Sequence, residues 1–139
     1  MKRKFRLCMS IVLAVCLAGS ASAQIIQPES VQLCGEALYT DEVMVLDLRS
    51  FGGRDPGGEA AFIRKHAGHY VPAHKNLLTV LIAHPAGPTE VDVALSQSQI
   101  EAAKRGCDLV LVYHSEIRNA SNNGGWYASA DVKFATRTR

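Results

Sequence analysis

Trp126-Tyr127-Ala128-Ser129-Ala130-Asp131-Val132-Lys133-Phe134 is the stretch from which the fold is read. Trp126, Ala128, Ala130, Val132 and Phe134 alternate with Tyr127, Ser129, Asp131 and Lys133, so an extended strand here has one apolar and one polar side. One face is expected on a core and the other in water. Just before it, Asn119 to Gly125 contains Asn123-Gly124, a favourable turn dipeptide. Further back, Leu109-Val110-Leu111-Val112-Tyr113 is a continuous apolar run, as expected of a central strand covered on both faces, with Ser115 to Arg118 extending it outward. Together these runs predict a carboxy-terminal β-hairpin.

Upstream of the hairpin, Ser96 to Arg105 predicts a helix. Ser96 and Gln99 have capping-box spacing, Ile100, Ala103 and Cys107 recur at helical intervals, and Gly106 stands where a carboxy-terminal cap belongs. Val91 to Leu95 fits a strand or an earlier helical turn. Leu77 to Ala83 reads as a buried strand ended by Pro85-Ala86-Gly87-Pro88, and His69 to Asn76 as irregular. A first helix follows the loop Gly52-Gly53-Arg54-Asp55-Pro56-Gly57-Gly58. Asp55 can cap it, Pro56 suits its first position, Ala60, Phe62, Ile63 and Ala67 supply its apolar side, and Gly68 can stop it. Val31 to Cys34 and Val43 to Leu48 are the remaining predicted strands. The expected fold is a single small α/β domain, with α+β as the alternative: a mixed sheet of about five strands and two helices mainly on one face.

The amino terminus has a different character. Lys2, Arg3, Lys4 and Arg6 precede an apolar run from Leu7 to Ala18, and Ala21-Ser22-Ala23 supplies the small residues that a signal peptidase requires. The run is about a dozen residues, short of the roughly 20 that span a membrane. Val15 before Cys16 and Leu7 before Cys8 do not fit lipoprotein processing. Residues 1–23 are therefore expected to be a cleaved signal peptide, 24–30 a short polar lead-in with Pro28, and 31–139 the domain. An uncleaved amino-terminal anchor is the alternative. The expected location is periplasmic or secreted.

Cleavage alters the bulk chemistry. The whole chain has 15 basic and 13 acidic side chains; without the four basic residues of the leader, 11 basic remain against 13 acidic, a net charge of about −2. The basicity belongs to the leader, so nucleic acid is not an expected partner. About 116 residues remain, enough for one core. Only Cys34 and Cys107 survive, and in an oxidising compartment such a pair reads as one disulfide. It closes a loop of about 74 residues, for which chain entropy gives roughly 4 kcal/mol. Two separate buried thiols are the alternative; a redox-active pair lacks Cys-x-x-Cys spacing.

Three groups carry possible chemistry. The loop Gly52 to Gly57 follows a strand and precedes a helix, the arrangement that cradles phosphate, yet Gly58 and Glu59 stand where a Walker lysine and hydroxyl belong, so a surface loop is the plainer reading. His66, His69 and His74 lie within nine residues and are candidate zinc or copper ligands, although Gly68 separates the first two and histidines in a polar loop are ordinarily solvated. His84 and His114 fall at or beyond predicted strand ends, where Asp47, Ser115 and Glu116 could join them for acid-base chemistry if the sheet order brings them together. No Gly-x-Ser-x-Gly elbow occurs. Asn119-Ala120-Ser121 has the form of a glycosylation acceptor.

Ile100-Glu101-Ala102-Ala103-Lys104-Arg105-Gly106-Cys107-Asp108-Leu109-Val110-Leu111-Val112, an alanine-rich helix ending at a glycine and aspartate before an apolar strand, resembles a pattern of bacterial envelope proteins. The TolB amino-terminal domain and the curli-secretion lipoprotein class are similar in this, and Val43-Met44-Val45-Leu46-Asp47-Leu48-Arg49 is like their opening strand. The likeness covers about a third of the domain. It implies a small α/β domain that binds proteins or assembles in the envelope without catalysis, and it carries over no site residue. This chain lacks their lipobox and inserts Cys107 between the glycine and the aspartate.

The expected function is therefore a non-enzymatic, exported domain acting in protein interaction or envelope assembly, with another envelope or secreted protein as partner and no cofactor. Tyr127 and Trp126 are the candidate contact residues, Trp126 fitting a core position as well. The alternative is a small hydrolase or metal-binding protein that uses the histidines. Mass spectrometry of exported material should show an amino terminus at Gln24; one at Met1 rules out cleavage.

Overall fold

The computed structural model describes residues 22–26, 31–84, 91–120 and 125–138. Most of the leader, residues 27–30, the Pro85 to Pro88 break, Ser121 of the glycosylation triplet and the Asn123-Gly124 turn lie outside these residues. Six strands are described: β1 (Ser22–Ile26), β2 (Met44–Asp47), β3 (Tyr70–Pro72), β4 (Leu78–His84), β5 (Leu109–Ala120) and β6 (Gly125–Arg137). Two α-helices accompany them, α1 (Pro56–Ala67) and α2 (Val91–Lys104). The sheet runs β1-β4-β6-β5-β2, and β3 pairs with the far end of β6. Only β2 and β5 are parallel, Met44 facing Leu109; the other pairs are antiparallel, so the sheet is mixed.

The alternating stretch occupies the centre of this sheet. Trp126 to Val132 of β6 pair with His84 to Leu78 of β4, and the whole of β6 up to Ala135 pairs with β5. Leu109, Val110, Leu111 and Val112 are all fully buried. Side chains alternate along a strand, so this run needs apolar cover on both faces. On one face Val110 and Val112 join Leu78, Val80, Ile82, Val132, Phe134 and Ala94, Ala102 and Ala103 of α2. On the other, Leu109 and Leu111 join Leu46, Leu48, Ala135 and Ile63 of α1. The expectation of two helices mainly on one face is corrected: each face carries one, because a strand without polar positions cannot leave either face to water.

Each helix is built for its place. Asp55 caps α1, its Oδ1 accepting the Gly58 N–H at 2.9 Å; Pro56 opens the helix and Gly68 ends it at φ 73°, as the sequence predicts. α2 begins at Val91, so Ser96 and Gln99 lie inside it and cap nothing. Ala94, Ser98 and Ala102, four residues apart and fully buried, form a small-residue stripe on the sheet. The Ser98 hydroxyl donates to the Ala94 carbonyl at 2.7 Å, which satisfies it within the helix. The Gln99 amide instead donates to the carbonyls of Thr40 and Val43, tying α2 to the start of β2.

Two local expectations fail for tertiary reasons. Val31 to Cys34 is no strand: the Gln32 N–H donates to Ala73 O and the Cys34 N–H to Arg105 O, so this segment is a strap between other elements. Within the expected irregular run His69 to Asn76, β3 forms because β6 continues past the end of β4 and Ala135 to Arg137 need a partner. The lead-in also differs, since Gln24 to Ile26 belong to β1 on the outer edge of β4. Among the described residues, no helix is long and apolar enough to cross a membrane.

Cys34 and Cys107 form the expected disulfide, with Cα atoms 5.0 Å apart across a sequence separation of 73. Gly106 makes this approach possible. It takes φ 73° to close α2, where the Cys107 N–H donates to Ala102 O and the Gly106 N–H to Ala103 O. A Cβ on Gly106 would lie 2.5 Å from the Gly35 carbonyl carbon and oxygen and 2.6 Å from Glu36 O. Gly106→Ala should thus cost about 1–3 kcal/mol, from the left-handed backbone and the displaced strap. Cys34→Ser should cost up to about 4 kcal/mol. Urea unfolding measures both, and thiol titration of the denatured, unreduced protein should find no free thiol at either cysteine.

Candidate functional site

The polar groups gathered most closely stand at the carboxyl end of β2, beside a bulge in β5. Asp47, the last residue of β2, receives Arg49 in a bidentate pair, Nε to Oδ1 at 2.8 Å and Nη2 to Oδ2 at 2.7 Å; the Arg49 backbone N–H adds a third bond. The remaining guanidinium nitrogen, Nη1, donates to Ser115 Oγ at 2.7 Å. Hydrogen bonding from Arg49 holds the Asp47 carboxyl below the usual carboxylate range, and the same contact raises Arg49, with Asp92 of α2 adding a weaker attraction. The register shifts between Val112 and His114, which places the bulge at Tyr113. A cleft of about 400 Å³ opens here, between Gly52 and Gly53 on one side and Leu77 and His114 on the other. Tyr113 is pushed up to about 12 by burial, with smaller contributions from Tyr70 and Glu59, so its hydroxyl stays protonated and can donate.

In this arrangement the polar groups satisfy one another, and none of them stands as a base for Ser115. A serine nucleophile requires a base to take its proton, whereas Ser115 is held by a guanidinium, which only donates, and both oxygens of Asp47 are engaged by Arg49. The expected His114 partnership is divided between the two faces. His114 and Glu116 lie opposite Asp131 and Ser129 on one face and Ser115 opposite Ala130 on the other, and Glu116 is paired with Arg118. β5 runs on to Ala120, which puts His114 within the strand, and His84 on β4 is separated from β5 by the whole of β6. Arg49 was not among the sequence candidates; the signal was an aspartate at a strand end two residues before an arginine, where the chain turns at Leu48 and the Asp47 carboxylate accepts from both the backbone and the side chain of Arg49.

The other candidates have structural roles. At the glycine loop, Gly52 and Gly53 turn with φ of 60° and 71°, and the Asp55 carboxylate occupies the amino end of α1. A phosphate would meet that carboxylate where it needs free amides, so a surface loop is what forms. Of the metal candidates, His66 is exposed and packs at a tilt against Phe62 with ring centroids 4.5 Å apart, and His69 is exposed next to β3. His74 is only 6% exposed, and both its nitrogens are engaged. Among the described residues no group of three or more His, Cys, Asp or Glu side chains is placed to hold a metal ion. The triad is corrected for that reason: Gly68 turns the chain, and His74 faces inward.

The role of His74 follows from the break between β3 and β4. β4 pairs with β6 as far as Val132 and β3 resumes at Ala135, which leaves Phe134 between two ladders. The Phe134 N–H donates to His74 Nε2 at 2.8 Å, and its carbonyl accepts the Ala73 N–H at 2.9 Å. A backbone N–H only donates, so Nε2 carries the lone pair and Nδ1 the hydrogen, which bonds to Asn76 O at 2.7 Å. The imidazole stands in for a strand carbonyl. Burial, and then the Lys133 charge, holds His74 below its usual range.

Tyr127 and Trp126 sit at the free end of the hairpin, both half-buried. Trp126 is not among the buried core residues, the innermost position on its side of β6 being Phe134. Tyr127 lies opposite Arg118 on β5, which is paired with Glu116 at 3.0 Å. In comparisons with known proteins, no protein-family model, no curated protein and no solved structure matches this chain.

Because the folded His74 resists protonation, the unfolded chain binds the extra proton first as pH falls below about 6.5. Stability from this group is complete above that pH and declines as pH drops through the depressed folded value. His74→Ala should cost about 1–3 kcal/mol at pH 7, by leaving the Phe134 amide unpaired, and should flatten this part of the pH dependence. Urea midpoints of both proteins between neutral and mildly acidic pH check the two effects.

Proposed function

We propose that this chain is an exported, non-enzymatic domain that works by binding another envelope or secreted protein. The observation that carries the reading is the face of the β4-β6-β5 sheet turned away from α2. α1 covers only its β2 side, through Leu46, Leu48, Leu109 and Leu111. Beyond that cover the face carries Thr79 bonded to Asp131 opposite His114, Leu81 beside the buried Ser129, then Glu116, and ends in Arg118 beside Tyr127. Such a surface is broad and held rigid by three paired strands. Its groups are mixed in charge, and at its end Tyr127 and Arg118 are of the residue types enriched at recognition surfaces, the ring burying much area at small entropic cost.

The disulfide is consistent with an oxidising compartment, in line with an exported protein. A small α/β domain is also what the resemblance to TolB-type and curli-secretion domains implies. That likeness supports envelope assembly as the setting.

A photo-crosslinker at position 127, activated in intact envelopes, should give one discrete protein adduct that diminishes when Arg118→Glu reverses the neighbouring charge. No adduct at position 127 or 118, together with turnover on a hydrolase panel that His114→Ala abolishes, would replace this reading with the enzymatic one.

A further inference from the structure

The bond expected to be cut on export, between Ala23 and Gln24, lies inside β1. In the uncleaved chain Ser22 pairs opposite Ala83, Ala23 opposite Ile82 and Gln24 opposite Leu81, all antiparallel on the outer edge of β4. Cleavage leaves Gln24, Ile25 and Ile26 on Leu81, Val80 and Thr79 and removes the strand that covered Ile82 and Ala83. The inner edge of the same residues stays paired, Ile82 with Ala128, Ala83 with Tyr127 and His84 with Trp126. Among the described residues, cleavage thus leaves the outer edge of Ile82 and Ala83 without a strand partner, next to the hairpin aromatics. Unpaired strand edges accept other strands, because their N–H and C=O groups already stand in ladder geometry.

We propose that the edge Ile82–His84 of the mature domain docks the carboxy-terminal tail of a partner polypeptide, laid antiparallel on β4 where Ser22 and Ala23 lie before cleavage. This rests on cleavage after Ala23. Direction and closure identify the occupant. A strand antiparallel to β4 runs the same way as β1, so its carboxyl end meets Gln24. A segment from mid-chain would have to turn aside there, whereas a tail simply stops. Its terminal carboxylate then faces the α-amino group that cleavage creates on Gln24, an attraction of opposite charges at the closed end of the slot.

The test uses exported protein whose amino terminus is first located by mass spectrometry, with the peptide Gly19-Ser20-Ala21-Ser22-Ala23 as probe, once with a free carboxylate and once amidated. The free acid should slow amide exchange at Ile82 to His84 by about tenfold at saturation, and the amide should bind more weakly. A chain beginning at Ser22, which fills its own slot, should show slowed exchange without peptide and no response to it. An amino terminus at Met1 overturns the cleavage on which the proposal stands. A terminus at Gln24 with exchange at Ile82 to His84 unchanged by the free acid overturns the docking itself, and equal binding of acid and amide overturns the role of the carboxylate.

Discussion

Burial of β5 on both faces is the constraint from which the architecture follows. Four consecutive apolar residues, Leu109 to Val112, lie at zero exposure, with β2 on one edge and β6 on the other. Neither face of such a strand tolerates water, so one helix must cover each. α2 meets the need with small residues, Ala94, Ser98 and Ala102, which bring the helix close. α1 meets it with Ile63, flanked by Phe62 and Phe51 in edge contact. At Tyr113 the register shifts, and beyond it the run turns polar.

Where regular pairing stops, side chains complete it. His74 supplies the acceptor that Phe134 lacks between β3 and β4. Asp108 accepts the Arg137 N–H at the end of β6 and also pairs with the Arg137 guanidinium, joining the start of β5 to the last strand residues. The strap Val31 to Leu38 closes the α2 side of the core, held by bonds to Ala73, Ala103 and Arg105 and by the disulfide. These are single connections between distant parts of the chain, and the cost of losing each is an unpaired buried group or a freed loop.

The two faces of the hairpin differ in character. The α2 face is apolar and closed; the opposite face is mostly polar and half-exposed, with Ser129 buried. The Asp47-Arg49-Ser115 cluster lies at the border between them, with its charges mutually satisfied. The contacts we propose fall on the outer hairpin and on the adjacent edge of β4, both on strands whose positions the core has already determined.

Period and punctuation alone identified the hairpin strands, both helices, the caps Asp55 and Gly68, and the cysteine pair, because each of these depends on residues near in sequence or on a count of two. They also exposed the double burial of β5, though not the consequence that the helices divide between the faces. Tertiary structure decided the rest. Val31 to Cys34 resembles a strand in isolation, but its partners are carbonyls of Ala73 and Arg105; Tyr70 to Pro72 resembles a loop, but β6 outruns β4 and recruits it. The three neighbouring histidines invite a metal reading until Gly68 turns the chain and Phe134 claims His74. Arg49 meets Ser115 only because β2 and β5 lie parallel, 66 residues apart in sequence. Local preferences are set by the chain's own rotations and side chains, whereas these partnerships depend on which strand edges are left unpaired after the core has closed.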